Sequence, residues 1–351
     1  MDIKATLREL SEASGVSGYE DEVRSLVSER LRALADEVRV DAMGNVIALR
    51  RGYAAQGCGP SVMLAAHMDE IGLMVTVVEK GFIRFTSVGG FDDRVLLGQE
   101  VTVHGRRPLP GIIGSRPPHV LAPNERNKVI PREQLLVDVG LPPAEVESLV
   151  RAGDLITIQR SLVELRNDLV AGKAFDDRVG VAVILVCLEV LQGMRHAWDV
   201  YGVATVQEEV GLKGAMTSAF AITPTVGIAL DVTFGIQPGV SDAETMELGK
   251  GPAIAFGPNV HPAIFERLKS TAQAYEIPYQ VEPIPAETGT DAWAMQVTRA
   301  GLPTGLVSIP LRSMHTSVET VSVKDVERAG RLLAHFIAGL DDAFLQALKL
   351  D

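Results

Sequence analysis

Cysteine is almost missing from this chain: Cys58 and Cys187 are the only two among 351 residues, and neither belongs to a CxxC pair. Two thiols cannot build a disulfide framework. Cys187, inside the apolar stretch VAVILVCLEV, reads instead as a small core residue. Positive charge is also in short supply, with 33 Lys and Arg against 45 Asp and Glu and a net charge of -12. No basic stripe offsets that balance, which disfavours nucleic acid and anionic membranes as partners. Long apolar runs are absent: the longest, from Val179 to Leu191, falls short of a membrane span. The first residues, MDIKATLRELSEAS, lack the basic start, apolar core and small-residue cleavage site of a signal peptide. A soluble, cytoplasmic protein is therefore expected, with small molecules or peptides as substrates.

With 46% hydrophobic and 22% charged residues, the chain can support two domains and a sizeable core. Apolar positions at helical spacing predict two helices within 3–34, broken at Gly15 and Gly18. Strands are expected at 37–40 and 45–49 around Met43-Gly44, and the apolar run 61–66 ends at His67. From about 71 to 165 the pattern becomes short alternating runs cut by Gly, Pro and Asp, with only 143–152 helical. Beyond it the spacing predicts helix 177–193, strands 200–206 and 226–231, helix 262–276, strand 303–309 and helix 323–340. The fold class expected is α/β, a mainly parallel mixed sheet flanked by helices and built from residues 1–70 and 165–351. Residues 71–164 would form an inserted, small, barrel-like all-β domain.

Glu208 and Glu209 follow the apolar run Tyr201 to Val206. Adjacent carboxylates there repel each other and resist desolvation, so a cation should sit between them. His67-Met68-Asp69, Asp176-Asp177 and Asp231 also fall at predicted strand ends or the loops beyond, and His315 follows the strand ending near Pro310. Ligands of open α/β sheets gather outside the carboxyl ends of the strands, so these groups can converge. Two histidines among carboxylates suit zinc, cobalt or manganese better than calcium, and their number permits two ions. Taken singly, each has a plainer reading: His67 as a hydrogen bonder, Asp176 as a helix cap, Asp231 as a turn former. Within Asp176-Asp177 either carboxylate could ligate while the other caps the helix.

The segments HMDEIG (67–72), AFDDRVG (174–180), EEVGLKGA (208–215), ALDVT (229–233), TGTDA (288–292) and RSMHTSVE (312–319) together resemble, in order and spacing, the M42 family of dinuclear metallo-aminopeptidases. GQEVTVHG and GIIGSRPPH in the β insert resemble that family as well. The resemblance implies two divalent ions per subunit, zinc or cobalt first and manganese next. His67 and Asp231 would bind one, Glu209 and His315 the other, and Asp176 both. Asp69 would orient His67, and Glu208 would be the general base. The implied reaction removes N-terminal residues from peptides with a free N-terminus, through a metal-bridging hydroxide. His119 would reach the cleft of a neighbouring subunit, and Gly289, Thr290 and Asp291 would line the specificity pocket or stabilise the tetrahedral intermediate. The family also implies a homo-oligomer of dimers, commonly a dodecamer, with the β insert as dimerisation module. Two other functions compete. A glycoside hydrolase would use paired carboxylates but needs neither His67 nor His315, and a non-catalytic metal- or peptide-binding protein would be expected to have lost Glu208. The preferred N-terminal residue is not legible.

Overall fold

Helix α1 (Ile3–Glu12) starts where the Asp2 side chain accepts a hydrogen bond from the Ala5 amide, satisfying one of the free donors of the first turn. After α2 (Asp21–Arg32) come β1 (Glu37–Val40), β2 (Val46–Arg50) and β3 (Ser61–His67). Every residue of β3 is buried, the condition that produces a continuous apolar run rather than alternation. The structure is a computed structural model that describes residues 1–54, 59–124, 126–241 and 245–350; Cys58 lies outside the described residues.

The alternating segment folds as a closed barrel ordered β4-β5-β8-β7-β6-β9. Its strands are β4 (Gly72–Glu79), β5 (Phe82–Val88), β6 (Glu100–His104), β7 (Pro108–Gly114), β8 (Leu136–Asp138) and β9 (Leu155–Ile158), with α3 (Pro143–Leu149) before the last. Leu73, Ile83, Val101, Val137 and Ile156 belong to a hydrophobic cluster of its own, separate from that of the large sheet. Closure removes the exposed edges that six short strands would otherwise present.

The chain then returns to the sheet through β10 (Val163–Glu164) and β11 (Leu169–Gly172), followed by α4 (Phe175–Leu191), β12 (Asp199–Thr205), α5 (Lys213–Ile222) and β13 (Val226–Phe234). Next are β14 (Ala253–Phe256), α6 (Pro262–Ala274), β15 (Gln280–Pro283), α7 (Asp291–Gln296), β16 (Thr304–Arg312), β17 (Glu319–Ser322), α8 (Val323–Ala338) and α9 (Asp342–Ala347). The sheet runs β1-β2-β12-β3-β13-β16-β17-β11-β10, with β14 pairing β16 and β15. Its central strands β12, β3, β13 and β16 are parallel, so their carboxyl ends share one edge. The mainly parallel mixed sheet with a barrel agrees with the expected fold class. Among the described residues, no helix is long and apolar enough to cross a membrane.

Several elements escaped the sequence reading. Strands β10, β11, β14, β15 and β17 hold four residues or fewer, too few for a two-residue period to show. Helix α5 starts behind Leu212, which sits at φ +58 and provides no capping side chain. Helix α4 overlaps the predicted 177–193 span but begins at Phe175 and ends at Leu191, and Asp176 (φ -77, ψ 104) and Asp177 (φ -117, ψ 38) are not helical within it.

A buried ionic clasp joins the N-terminal helix to the site. Glu70 sits 2.5 Å from Lys173 Nζ and 3.3 Å from Arg178 Nη2. Arg178 also donates to the carbonyls of Met68, Leu10 and Ala13. Its guanidinium passes so close to the backbone that a Cβ on Gly15 would lie 2.7 Å from Nη2, so glycine is the residue that fits there.

Candidate metal centre

The parallel edge assembles the polar residues. His67, the last residue of β3, holds Nε2 3.1 Å from Asp176 Oδ1 and Nδ1 3.1 Å from the Asp69 carbonyl oxygen. His315, beyond β16, holds Nε2 3.3 Å from Asp176 Oδ2 and 3.5 Å from Glu209 Oε1. Asp176 therefore turns one oxygen toward each histidine. Glu208 places Oε2 3.8 Å from His67 Nε2. Two trios, His67-Asp176-Glu209 and His67-Glu208-Asp231, each bring ligand-type atoms within 4.8 Å of one another. Asp177 stays out of both: its Oδ1 accepts from the Gly180 amide at 3.1 Å and caps the start of α4.

Two further carboxylates hold this arrangement from behind. Asp69, fully buried, accepts the Glu208 amide on Oδ1 at 3.0 Å and the Glu209 amide on Oδ2 at 3.2 Å. Ser17 Oγ donates to the same Oδ2 at 2.5 Å, and Asp69 Oδ1 lies 3.5 Å from His67 Nδ1. One side chain thus sets both the imidazole and the backbone of the Glu208-Glu209 pair. Glu319 does the equivalent for the other half, accepting the Asp176 amide at 3.1 Å and the His315 amide at 2.9 Å. Glu319 was not singled out from the sequence; its only signal is a carboxylate four residues after His315.

The electrostatics record a shortage of positive charge. Burial pushes Glu208 up to about 10, with Asp231 and Asp291 adding repulsion. Burial and the Asp176 charge raise Glu209 to about 7 and Glu319 to about 8. Asp231 is raised well above the carboxylate range by burial and by Asp176, and Asp177 by burial and by Asp231. The charges that offset the rise on these groups come from His67 and His315. Against its burial, His67 is held well above its usual value by Glu208, Asp176 and Asp69, and contact with Asp176 lifts His315 to about 9. Against its own burial, Asp176 is pulled below the usual range by His315 and His67. Divalent cations would relieve this crowding, and the mixed imidazole and carboxylate donors suit zinc, cobalt or manganese.

Residues 44–332 match the sequence profile of the M42 glutamyl aminopeptidases. The chain belongs to the M42 peptidase family. A lysyl aminopeptidase of Pyrococcus furiosus is 40% identical over 334 residues, which cover 93% of this M42 chain and 94% of that protein. A TET aminopeptidase from a marine sediment archaeon of the Thaumarchaeota matches with a TM-score of 0.92 at 35% identity, over 99% of each chain. The TET1 peptidase of Pyrococcus horikoshii, which can assemble into a tetrahedron or a large octahedral shell, matches with a TM-score of 0.83 at 30% identity, over 97% of this chain and all of that one. This M42 protein is thus a metallo-aminopeptidase, a hydrolase acting on peptide bonds.

Over the centre of the M42 peptidase opens a cleft of about 580 Å³, bounded by Asp176, Glu208, Glu209, Asp231 and His315. Gly289 and Thr290 line it too, with Phe234, Ile284 and Trp293. Asp291 does not line it, contrary to the expectation from the TGTDA segment. It starts α7 buried, accepts from Thr205 Oγ1 at 2.5 Å, and burial raises it to about 6. His119 is exposed on the barrel and is not among the residues lining the cleft. The barrel nonetheless reaches the centre. Phe91 and Ile158 share a small cavity of about 20 Å³ with Asp176, Glu209 and His315. A Cβ on Gly90 would lie 3.2 Å from His315 Nδ1, a close approach that favours glycine.

Proposed function

We propose that this M42 peptidase is a dinuclear aminopeptidase that removes N-terminal residues from peptides, with Glu208 as general base. The observation that supports it most directly is Asp176, whose two oxygens face His67 and His315 separately, as a carboxylate shared by two ions would. His67 and Asp231 would hold one ion and Glu209 and His315 the other, with zinc or cobalt first and manganese next. Such ions supply Lewis acidity, polarising the scissile carbonyl and making water more acidic. Glu208 accepts the proton of the attacking water and delivers it to the leaving amine. Its rise to about 10 reflects burial first and neighbouring negative charge second, and added positive charge brings such a group back toward a working range. The acidic cleft attracts the ammonium of a free N-terminus.

Complete chelation is expected to abolish hydrolysis of aminoacyl substrates, and zinc, cobalt or manganese to restore it. Undiminished turnover after verified metal removal would overturn the reading. Asp69→Asn, which leaves one amide of the Glu208-Glu209 backbone facing an NH₂ group, is expected to weaken metal binding by about 10- to 100-fold in a competition titration. Unchanged affinity would deny Asp69 its orienting role.

We further propose that residues 71–164 form the dimerisation unit of a homo-oligomer, a dodecamer by analogy with tetrahedral relatives, in which His119 approaches a neighbouring cleft. Sedimentation of the full chain tests this.

A further inference from the structure

The lining of the cleft over the metal centre includes a carboxylate, Glu282, that the proposed chemistry leaves unused. On one face of the sheet, Asp231 and Thr233 of β13 are followed outward by Ser308 of β16, Ala253 and Ala255 of β14, and Glu282 of β15. The intervening residues are small and buried, which leaves room for the Glu282 side chain to lie back across Ala255 toward the centre. There it accepts hydrogen bonds from Thr233 Oγ1 and, at 2.8 Å, from Ser308 Oγ. Two hydroxyls fix the carboxylate in place, and neither neutralises it.

The charge balance is as informative as the geometry. Glu282 lines the cleft, as does the exposed Glu287, and no lysine or arginine does so among the described residues. Bound ions would answer the acidic ligands, but they leave Glu282 without a counterion. Thr233 stands two residues beyond Asp231 on the same face, roughly 6.6 Å along the strand. That is about the reach of an unbranched four-carbon side chain whose α-carbon lies at the metal centre. Apolar Ile284, Phe234 and Trp293 line the same cleft, suited to the methylene stem of such a side chain.

We propose that Glu282 directs this cleft toward substrates whose N-terminal residue is lysine or arginine, by receiving its cationic end. The inference rests on the aminopeptidase reading and adds to it the class of side chain accepted. Burial raises the Glu282 carboxyl above its ordinary value, and an arriving cation counters that cost.

The test compares p-nitroanilides of lysine, arginine, norleucine and glutamate on the metal-loaded full chain. Norleucine has the unbranched stem without the charge. The wild type is expected to favour lysine and arginine over norleucine by about tenfold or more in kcat/KM. Glu282→Gln keeps the size of the side chain and can still bond both hydroxyls, and should collapse that ratio mainly through KM. Glu282→Lys should shift preference toward glutamate, an inversion that a merely structural role would not give. A wild-type ratio near or below one, or an equal loss on all four substrates in Glu282→Gln, would overturn the proposal. Cleavage of none of the four by the metal-loaded wild type would instead defeat the aminopeptidase reading beneath it.

Discussion

Glu208→Gln is expected to lower kcat by about 10²- to 10⁴-fold while the protein keeps its full metal content. Glutamine occupies the same space, and the backbone at this position is held independently, by the Glu208 amide on Asp69. What disappears is the ability to take a proton from water and return it to the amine. Turnover and metal content measured on the same preparation separate the outcomes. Near-normal turnover would end the assignment of Glu208 as base. Lost metal would make Glu208 a ligand, which its membership of the His67-Glu208-Asp231 trio makes a fair alternative.

Asp176→Ala should fail differently, losing both bound ions and all measurable peptidase activity. Each histidine loses its contact with the shared carboxylate, one at 3.1 Å and one at 3.3 Å. The neighbouring Asp177→Asn is the control, because its side chain caps α4 through Gly180 and the amide oxygen can still accept that bond. It is expected to bind metal normally and to change stability by about 1 kcal/mol at most. Metal stoichiometry by elemental analysis decides between the two adjacent residues. Retention of two ions by Asp176→Ala would refute the bridging role.

Much of this was legible in the sequence, for identifiable reasons. A strand buried on both faces, such as β3, writes itself as an apolar run, and a parallel sheet collects strand ends at one edge. The clusters at His67, Asp176-Asp177, Glu208-Glu209, Asp231 and His315 could therefore be gathered from the sequence, while the choice of Asp176 and Glu209 within their pairs came from the family resemblance. The supporting groups were harder to see. Asp69 accepts amides 139 and 140 residues away, and no local pattern reports such a pairing. Glu319 and Glu282 are likewise ordinary acidic residues until the fold aims them at backbone amides or across the small residues of β14. The burial of Asp291 was not legible either, because TGTDA shows an acid beside a glycine turn but not that the helix start turns that acid inward to Thr205.

The contact of Gly90 and Phe91 with the His315 side of the centre bears on how such proteins can diverge. A hybrid that took its barrel from a relative by cutting at the strand boundaries would press a foreign loop against a resident histidine. The unit inherited together is then neither the barrel nor the sheet. It is the seam between them, where a residue larger than glycine in one part demands a compensating change in the other.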